Sequence, residues 1–404
     1  MKIFIVFGTR PEVIKLAPVV FSLKERFDVR VVSTGQHLEL TQQVINFFRL
    51  RPHYSFGCMT EKPDLEILHE CIQKEMRIAI DKEEPDLIIV QGDTLTTYAA
   101  AFVGFMLKKP VFHVEAGLRS FRKYSPFPEE VLRVLVSRLV DFHFAPTHGA
   151  CENLLSEGIR KDRILITGNT VVDALLLAQR LMDEKSAIKE VSSYVPEFEG
   201  IIKRKRLILI TAHRRENIGE PLKRICDAIW SLSQRYKGAF FLWPLHRNPD
   251  VRSVILDELS KRPDNIAFTE ALSYQGMIYL MKRSYILMTD SGGIQEEASA
   301  FGKPVMVLRD TTERPEIVDT GIGFLVGSDV KRIVDVFSEL YENKRLYASI
   351  SMIKNPFGDG KASKRVRDFL MLENVRSFIK TYPSSCMDVL DIPKTLAYRS
   401  LERK

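Results

Sequence analysis

Ser291, Gly292 and Gly293 follow an apolar run and precede a predicted helix, a pattern that suits the binding of an anion. Glycines let the backbone come close to a ligand, and the N–H groups of a first helical turn attract phosphate oxygens. Glu297 follows one turn later. Its carboxylate cannot help to bind phosphate, but it could accept hydrogen bonds from ribose hydroxyls, so the segment suggests a nucleotide. Taken alone, the segment is equally consistent with a glycine-capped helix and a solvated Glu pair.

Other polar residues stand directly after, or close to, apolar runs of β-strand type. GTRPEVIK supplies the cations Arg10 and Lys15, which could clamp a diphosphate. GDT and EAG supply the carboxylates Asp93 and Glu115, and Glu129 follows in SPFPEE. Each has an ordinary alternative: Asp93 could cap a helix, Glu115 could anchor a loop, Glu129 could complement a helix dipole, and either cation could be a surface charge.

The second half of the chain repeats this pattern with histidines. AHRRENIG places His213 after the run RLILIT, and WPLHRNP carries His246. His213 alone could be a loop residue whose nitrogens bind backbone carbonyls. The coincidence of five polar strand-end loops favours a ligand site, because doubly wound folds bind ligands beyond the carboxyl ends of their strands.

The elements that must position these residues alternate between apolar β-rich runs and helical stretches. The runs are KIFIVF, VRVVST, DLIIVQ, PVFHVE and DFHFAP, then RLILIT, AFFLWP, SYILMTD and PVMVL. Continuous apolar strands imply parallel sheets that are covered on both faces. We therefore predict an α/β fold of two doubly wound parallel-sheet domains with a cleft between them, over residues 1–172 and 173–360. A C-terminal helix and tail over residues 361–404 could pack back on the first domain.

The composition fits a two-domain protein of the cytoplasm. A length of 404 residues exceeds what one hydrophobic core usually supports, and 45% apolar with 27% charged residues is ordinary for an α/β protein. The net charge of +7 is spread without basic tracts, so we expect no nucleic-acid partner. MKIFIVF is too short for a secretory signal or a bilayer span. The five cysteines form no CxxC pair, which predicts idle thiols and neither a disulfide framework nor a zinc site.

The motifs of this chain closely resemble those of the non-hydrolysing UDP-N-acetylglucosamine 2-epimerases, in order and spacing, from Met1 to about Ser363. They are GTRPEVIK, TGQH, QGDT, HVEAGLRS, PFPEE, GNTVVDAL, TAHRRENIG, PLHRNP, TDSGGIQEEA, GKPVMVLRDTTERPE and NPFGDGKAS. The resemblance implies a GT-B-like fold of two Rossmann-like domains, a homodimer, a role in cell-surface polysaccharide biosynthesis, and interconversion of UDP-N-acetylglucosamine and UDP-N-acetylmannosamine without a cofactor.

The resemblance also implies roles for individual residues. Glu297 would bind the ribose and Arg314 the phosphates or nearby groups, while Met277 stands where relatives often place an aromatic residue near the base. The diphosphate would contact Arg10, His213, Ser291, Gly292 and Gly293. The catalytic set would be Lys15, Asp93, Glu115, Glu129 and His213. Some relatives bind a second substrate molecule as an activator, and Gln36, His37 and His246 match that site, whereas Glu39 replaces a glutamine of it.

The chemistry of the sugar makes independent sense of three carboxylates. The hydrogen at C2 has no adjacent carbonyl and is barely acidic, and the chain has no GxGxxG fingerprint for an oxidising dinucleotide. Expulsion of UDP from C1 would acidify that hydrogen, and cations would stabilise the departing diphosphate. A carboxylate would then remove the proton to give 2-acetamidoglucal, and UDP would add back after protonation of the opposite face. No metal-ligand spacing is present, so we predict no obligatory metal.

Three other functions are compatible with parts of this pattern. An epimerase of a related UDP-2-acetamido sugar would keep the UDP site unchanged. A GT-B glycosyltransferase would use similar diphosphate loops but has no need for three carboxylates around C2. A non-catalytic nucleotide-sugar sensor leaves the same carboxylates unexplained.

Overall fold

Two compact units make up the chain. The computed structural model describes residues 1–35, 38–58 and 64–398. Unit 1 comprises Met1–Leu177 with Phe357–Lys404, and unit 2 comprises Ala178–Pro356. Unit 1 therefore includes the segment that follows Pro356.

Each unit is built on one parallel sheet. Unit 1 holds β1 (Lys2–Phe7), β2 (Asp28–Ser33), β3 (Tyr54–Ser55), β4 (Leu87–Gln91), β5 (Val111–Val114), β6 (Phe142–Ala145) and β7 (Ile164–Ile166). Unit 2 holds β8 (Arg206–Thr211), β9 (Ala239–Pro244), β10 (Ile266–Thr269), β11 (Ile286–Thr289), β12 (Val305–Val307) and β13 (Gly323–Leu325). The spatial orders are β3-β2-β1-β4-β5-β6-β7 and β10-β9-β8-β11-β12-β13. Both orders reverse at one point, between β1 and β4 and between β8 and β11, which confirms the predicted doubly wound α/β class.

Helices connect the strands in both units. They are α1 (Arg10–Lys24), α2 (Leu38–Phe47), α3 (Leu65–Glu83), α4 (Leu95–Met106), α5 (Glu129–Leu139), α6 (His148–Ser156), α7 (Thr170–Leu181), α8 (Glu184–Ser192), α9 (Phe198–Arg204), α10 (Glu220–Arg235), α11 (Pro249–Glu258), α12 (Tyr274–Arg283), α13 (Gly292–Ala300), α14 (Pro315–Asp319), α15 (Val330–Glu342), α16 (Lys344–Ser351), α17 (Ala362–Leu370) and α18 (Glu373–Thr381). No described helix is both long and apolar enough to cross a bilayer.

All nine strands predicted from apolar runs are present, whereas β3, β7, β10 and β13 were not predicted. These four are the edge strands of the two sheets. Each of them has only one neighbouring strand and is two to four residues long, so it contains a shorter apolar run than strands such as β1 and β8.

The segment after Pro356 packs onto unit 1 through α17. The Phe369 ring lies 4.1 Å, centroid to centroid, from the ring of Phe142 in β6. Arg367 donates to Glu25, at the end of α1, over 2.6 Å. Aromatic burial and an ion pair thus attach this helix to the first sheet and to α1.

The expectation that the cysteines are idle thiols is wrong for two of them. Cys58 and Cys71 form a disulfide with a Cα–Cα distance of 5.6 Å. Cys71 lies on α3, and the packing of that helix brings two cysteines together that are 13 positions apart. Their spacing follows no recognised sequence pattern, so only the tertiary structure pairs them.

Two buried histidines lie side by side in the first sheet. His113 in β5 and His143 in β6 are in register on paired strands. Nε2 of His113 lies 2.7 Å from the carbonyl oxygen of Gly92. Burial lowers the pKa of His113 to about 4 and lowers the pKa of His143 well below its usual value. Both rings are therefore neutral at pH 7.

Acid should destabilise unit 1 through these rings. Unfolded His113 binds a proton near pH 6.5 and the folded ring only near 4, so its contribution is present above pH 6.5 and is lost as pH falls. For His113 the loss between pH 8 and pH 5 is about 2 kcal/mol. Urea unfolding at both pH values measures it. In His113→Gln, which retains a donor for Gly92, the pH dependence should shrink by about that amount, and an unchanged pH dependence would contradict the assignment.

Candidate active site

Lys15 and Glu115 meet at the carboxyl ends of the central strands of unit 1. Lys15 lies in the second turn of α1, and Glu115 follows β5 directly. The Lys15 ammonium donates to Glu115 Oε1 over 2.6 Å, and Gln91, the last residue of β4, donates to Oε2 over 2.6 Å. Both members of the ion pair are buried. These two hydrogen bonds hold the Glu115 carboxylate in one orientation at the end of the strand.

The backbone at Glu115 is strained. Its φ of 64° lies in the left-handed region, which residues other than glycine rarely adopt. Such strain persists where surrounding contacts over-determine the conformation, and it is concentrated at functional sites. Gly117, two residues on, has φ 91°, and a Cβ there would lie 2.1 Å from the carbonyl oxygen of Ala150. The turn that presents Glu115 therefore requires glycine at position 117.

Asp93 and Glu129 lie in a second set of contacts in unit 1. Asp93 forms an ion pair with Arg133 of α5. Arg133 also approaches Glu130 at 3.0 Å, and Glu130 accepts from the backbone N–H of Phe121 at 2.8 Å. Glu129 begins α5, and its Oε2 is shielded from solvent with no hydrogen-bond partner within the described ranges. Asp93 is thus held by a buried cation, whereas one carboxylate oxygen of Glu129 has no such partner in the described part of the chain.

Asp290 organises the corresponding strand ends of unit 2. It follows β11, is fully buried, and its Oδ2 accepts from the backbone N–H groups of His213 and Arg214, each at 2.8 Å. Asn217 donates to the same oxygen at 3.0 Å. Because β8 and β11 are neighbours at the reversal of strand order, this carboxylate fixes the His213 loop against the start of α13.

His213 and His246 stack on each other. Their ring centroids are 4.8 Å apart and the rings are inclined by 10°. His213 Nδ1 lies 3.5 Å from Asp290 Oδ1. Burial lowers the pKa of His213, and the carboxylate of Asp290 only partly opposes this; burial also lowers the pKa of His246. His213 is therefore a neutral imidazole at pH 7, which donates a hydrogen bond at one ring nitrogen and accepts one at the other.

Ser291, Gly292 and Gly293 form the start of α13, as their spacing predicted. A Cβ on Gly292 would lie 3.3 Å from the guanidinium carbon of Arg314, so that cation stands over the first helical turn. Glu296, almost fully buried, accepts from Arg314 Nε at 2.8 Å and orients it. A helix N-terminus and an oriented guanidinium together suit a phosphate group.

Three other residues of the predicted site lie on the helices α1, α12 and α13. Glu297 on α13 is buried and lies 3.3 Å from the Tyr274 hydroxyl, which donates to it. Met277 lies half-buried on α12, and Arg10 lies half-buried at the first position of α1. Gln36 and His37, the other two residues of the possible activator site, lie outside the described residues. No group of three His, Cys, Asp or Glu side chains in the described part of the chain is arranged to hold a metal ion.

The structure thus divides the predicted residues into two groups. Unit 1 joins Lys15 to Glu115, and unit 2 joins His213 to His246 and Arg314 to the Gly292 turn. The sequence interpretation missed the residues that hold these groups in place. The sequence contained a local indication for two of them: Asp290 follows a predicted strand, and Arg133 lies one helical turn after Glu129. Gln91 had none beyond its place at the end of β4.

The two doubly wound sheets with polar strand ends define a GT-B-like α/β protein. A family model for UDP-N-acetylglucosamine 2-epimerase matches residues 21–371. The chain belongs to that family of isomerases, which confirms the resemblance. UDP-N-acetylglucosamine 2-epimerase from Neisseria meningitidis serogroup A is 43% identical over 373 residues, which cover 92% of this chain and 99% of that protein. The protein of the same name from Escherichia coli K12 is 39% identical and covers 92% and 98%.

Solved structures agree with this membership. The Neisseria meningitidis UDP-GlcNAc 2-epimerase bound to UDP-GlcNAc matches with a TM-score of 0.85 and 43% identity, over 92% of this chain and 100% of that one. The Methanocaldococcus jannaschii UDP-GlcNAc 2-epimerase in complex with UDP-GlcNAc and UDP matches with a TM-score of 0.76 and 34% identity, over 92% and 99%.

Proposed function

We propose that this protein interconverts UDP-N-acetylglucosamine and UDP-N-acetylmannosamine by eliminating and re-adding UDP. The observation that carries this proposal is the difference between two carboxylates of unit 1. Glu115 accepts hydrogen bonds from Lys15 and Gln91 at its two oxygens, whereas Glu129 retains an oxygen without a partner in the described structure. Inversion at C2 needs one group that removes a proton and another that delivers one to the opposite face, and unequal environments suit such a division.

In the forward reaction the C1–O bond breaks and its electron pair leaves with UDP. The cations Arg10, Lys15 and Arg314, with the N-terminus of α13, offset the charge that develops on the diphosphate. The proton at C2 passes to a carboxylate, and the C–H electrons form the C1–C2 double bond of 2-acetamidoglucal. In the return step a second acid protonates C2 from the other face, and a UDP oxygen adds to C1. Asp93, Glu115 and Glu129 divide these transfers.

In this proposal residues of unit 2 contact the base, the ribose and part of the diphosphate. Glu297 binds the ribose, Met277 lies near the base, and Ser291, Gly292 and Gly293 bind phosphate through their N–H groups. His213 is neutral at pH 7, so it donates a hydrogen bond to the diphosphate rather than a full charge. The His246 ring stacks on the His213 ring. This contact favours a place for His246 beside bound UDP or beside an activating second substrate molecule.

Proton NMR in D2O tests the reaction. The purified protein is incubated with UDP-N-acetylglucosamine alone, and both the configuration and the isotope at C2 are followed. We expect the manno sugar to form with deuterium at C2. Unchanged substrate in the presence of demonstrated binding would reject this activity and direct tests to a modified sugar, an acceptor for glycosyl transfer, or a sensor role. Formation of the manno sugar without deuterium would reject an exchangeable proton transfer.

Activity should not depend on a divalent cation. The diphosphate has Arg10, Lys15 and Arg314 as proposed cationic partners, which replace the charge that a metal would supply. Turnover after dialysis against EDTA should stay within about 2-fold of untreated enzyme, since general acid–base and electrostatic steps require no metal here. Loss of turnover that magnesium restores would overturn this prediction.

We also propose that the protein is a homodimer that pairs through α3 and α4. Large apolar side chains on these neighbouring helices are exposed: Ile78 by 52%, Phe105 by 50% and Met106 by 59%. Exposed apolar patches of this kind are typical of protein interfaces. Light scattering should give twice the monomer mass of 46.4 kDa. The variant Phe105→Glu should be monomeric, Phe21→Glu on α1 should remain dimeric, and a wild-type monomer at micromolar concentration would refute the proposal.

A further inference from the structure

Glu12 is a buried carboxylate that no step of the proposed mechanism uses. It lies in the first turn of α1, and its residue is only 1% exposed. Oε2 accepts from the N–H of Gly8 at 2.9 Å and from the N–H and hydroxyl of Thr9 at 2.7 and 2.8 Å. Oε1 accepts from the hydroxyl of Thr94 at 2.7 Å. The Thr97 hydroxyl lies 3.1 Å from Oε1, but its proton is directed at the carbonyl oxygen of Gln91, 2.6 Å away.

These four donors belong to two different strand-end segments. Gly8 and Thr9 connect β1 to α1, whereas Thr94 lies at the start of α4, after β4. β1 and β4 are the neighbouring strands at which the order of the first sheet reverses. One oxygen of Glu12 therefore binds each loop, so the carboxylate ties the two loops together at that reversal point.

The loops that Glu12 joins carry residues of the proposed reaction. Arg10 directly follows Thr9, Lys15 lies one turn further along α1, and Asp93 directly precedes Thr94. None of the hydrogen bonds of Glu12 goes to Arg10, Lys15 or Asp93. Its effect on the reaction would therefore pass through the position of the two loops.

A carboxylate is the group that this environment requires. The two N–H groups and the hydroxyls of Thr9 and Thr94 all donate, and a carboxylate accepts at both of its oxygens. Desolvation raises the pKa of Glu12, and the hydrogen bonds from Thr94, Gly8 and Thr9 counteract that rise. Glutamine has the same shape but one acceptor oxygen, so its amide group would face donors of one loop.

We propose that Glu12 is a positioning residue, which holds the start of α1, with Arg10 and Lys15, at a fixed distance from the loop of Asp93. This inference rests on the proposed function. A displacement of about 1 Å between reacting groups can cost about 100-fold in rate. Loss of the hydrogen bonds between Glu12 and one of the two loops should therefore lower kcat more than it lowers substrate affinity.

Unit 1 contains a matched control for this test. Asp173 on α7 is also buried without an ion-pair partner among the described residues, and it accepts from the N–H of Ala362, the N–H of Ser363 and the hydroxyl of Ser363 at 3.1, 2.8 and 2.6 Å. It ties α7 to α17, and neither helix carries a residue of the proposed site. Glu12→Gln and Asp173→Asn thus remove the same kind of acceptor from the same unit.

The experiment compares both variants with wild type at a temperature well below every melting transition. We expect both variants to melt earlier. Glu12→Gln should lower kcat by about 10- to 100-fold with KM and UDP affinity within about 3-fold, because positions and not contacts are lost. Asp173→Asn should retain kcat within about 2-fold. Nearly wild-type kcat in Glu12→Gln, or equal losses in both variants, would overturn the inference.

Hydrogen exchange separates this inference from the proposed function. In Glu12→Gln the amides of Gly8 and Thr9 should exchange at least 10-fold faster, with those of Ala362 and Ser363 unchanged, and Asp173→Asn should show the reverse. Unchanged exchange at Gly8 and Thr9 would refute the positioning role of Glu12, whatever the activity of the variant. An inactive wild type would instead refute the proposed function, and the exchange result would still decide whether Glu12 joins the loops.

Discussion

Glu115→Gln should lower kcat by about 100-fold or more while UDP affinity stays within about 3-fold, because an amide cannot exchange a proton with C2. Glu115 itself contacts no part of UDP in the proposed mechanism, so binding of UDP should persist. Initial rates by NMR and calorimetric titration with UDP measure the two quantities. Asp93→Asn and Glu129→Gln should lower kcat to a similar extent for the same reason.

Glu157→Gln is the matched control for Glu115→Gln. Glu157 also lies in unit 1 and forms an ion pair with a buried arginine, Arg119, at 2.7 Å. Its replacement removes a charge of the same sign from a comparable pair that has no part in the proposed proton transfers. We expect kcat within about 3-fold of wild type, since only stability should fall. Nearly normal turnover of Glu115→Gln would remove Glu115 from the catalytic set.

Arg314→Gln should weaken UDP binding by about 10- to 100-fold, because a hydrogen bond to a charged group contributes about 1.5–3 kcal/mol and each 1.4 kcal/mol is tenfold. Glu296 holds the Arg314 guanidinium over the start of α13, next to Gly292. Calorimetric titration with UDP measures the effect. Because the same cation would stabilise the departing diphosphate, kcat should fall as well.

Two further variants sharpen the Arg314 test. Arg252→Gln removes a guanidinium of unit 2 that pairs with the exposed Glu270, and UDP affinity should stay within about 2-fold because a surface pair contributes little. Gly292→Ala keeps the charge but adds a Cβ 3.3 Å from the guanidinium carbon, so it should weaken UDP binding in the same direction as Arg314→Gln. If UDP affinity is unchanged in both Arg314→Gln and Gly292→Ala, Arg314 and the start of α13 do not belong to the diphosphate site.

The central strands were predictable because their apolar runs are long. Each sequence, such as KIFIVF for β1 or RLILIT for β8, must be buried on both faces of a parallel sheet, and that demand is visible locally. The edge strands β3 and β13 carry no such demand and were missed. The positions of Asp93 and Glu115 were predictable for a related reason, since residues that directly follow adjacent parallel strands share one edge of the sheet.

The fold class, the family and the strand-end positions of the candidate residues could all be read from the sequence, because periodicity and motif order are local properties of the chain. The partners of these residues depend on the folded arrangement. Lys15 and Glu115 are 100 positions apart, and Asp290 holds the N–H of His213 from 77 positions away. Hydrogen bonds and ion pairs act over about 3 Å, so which donor meets which acceptor depends on how the strands are ordered in space.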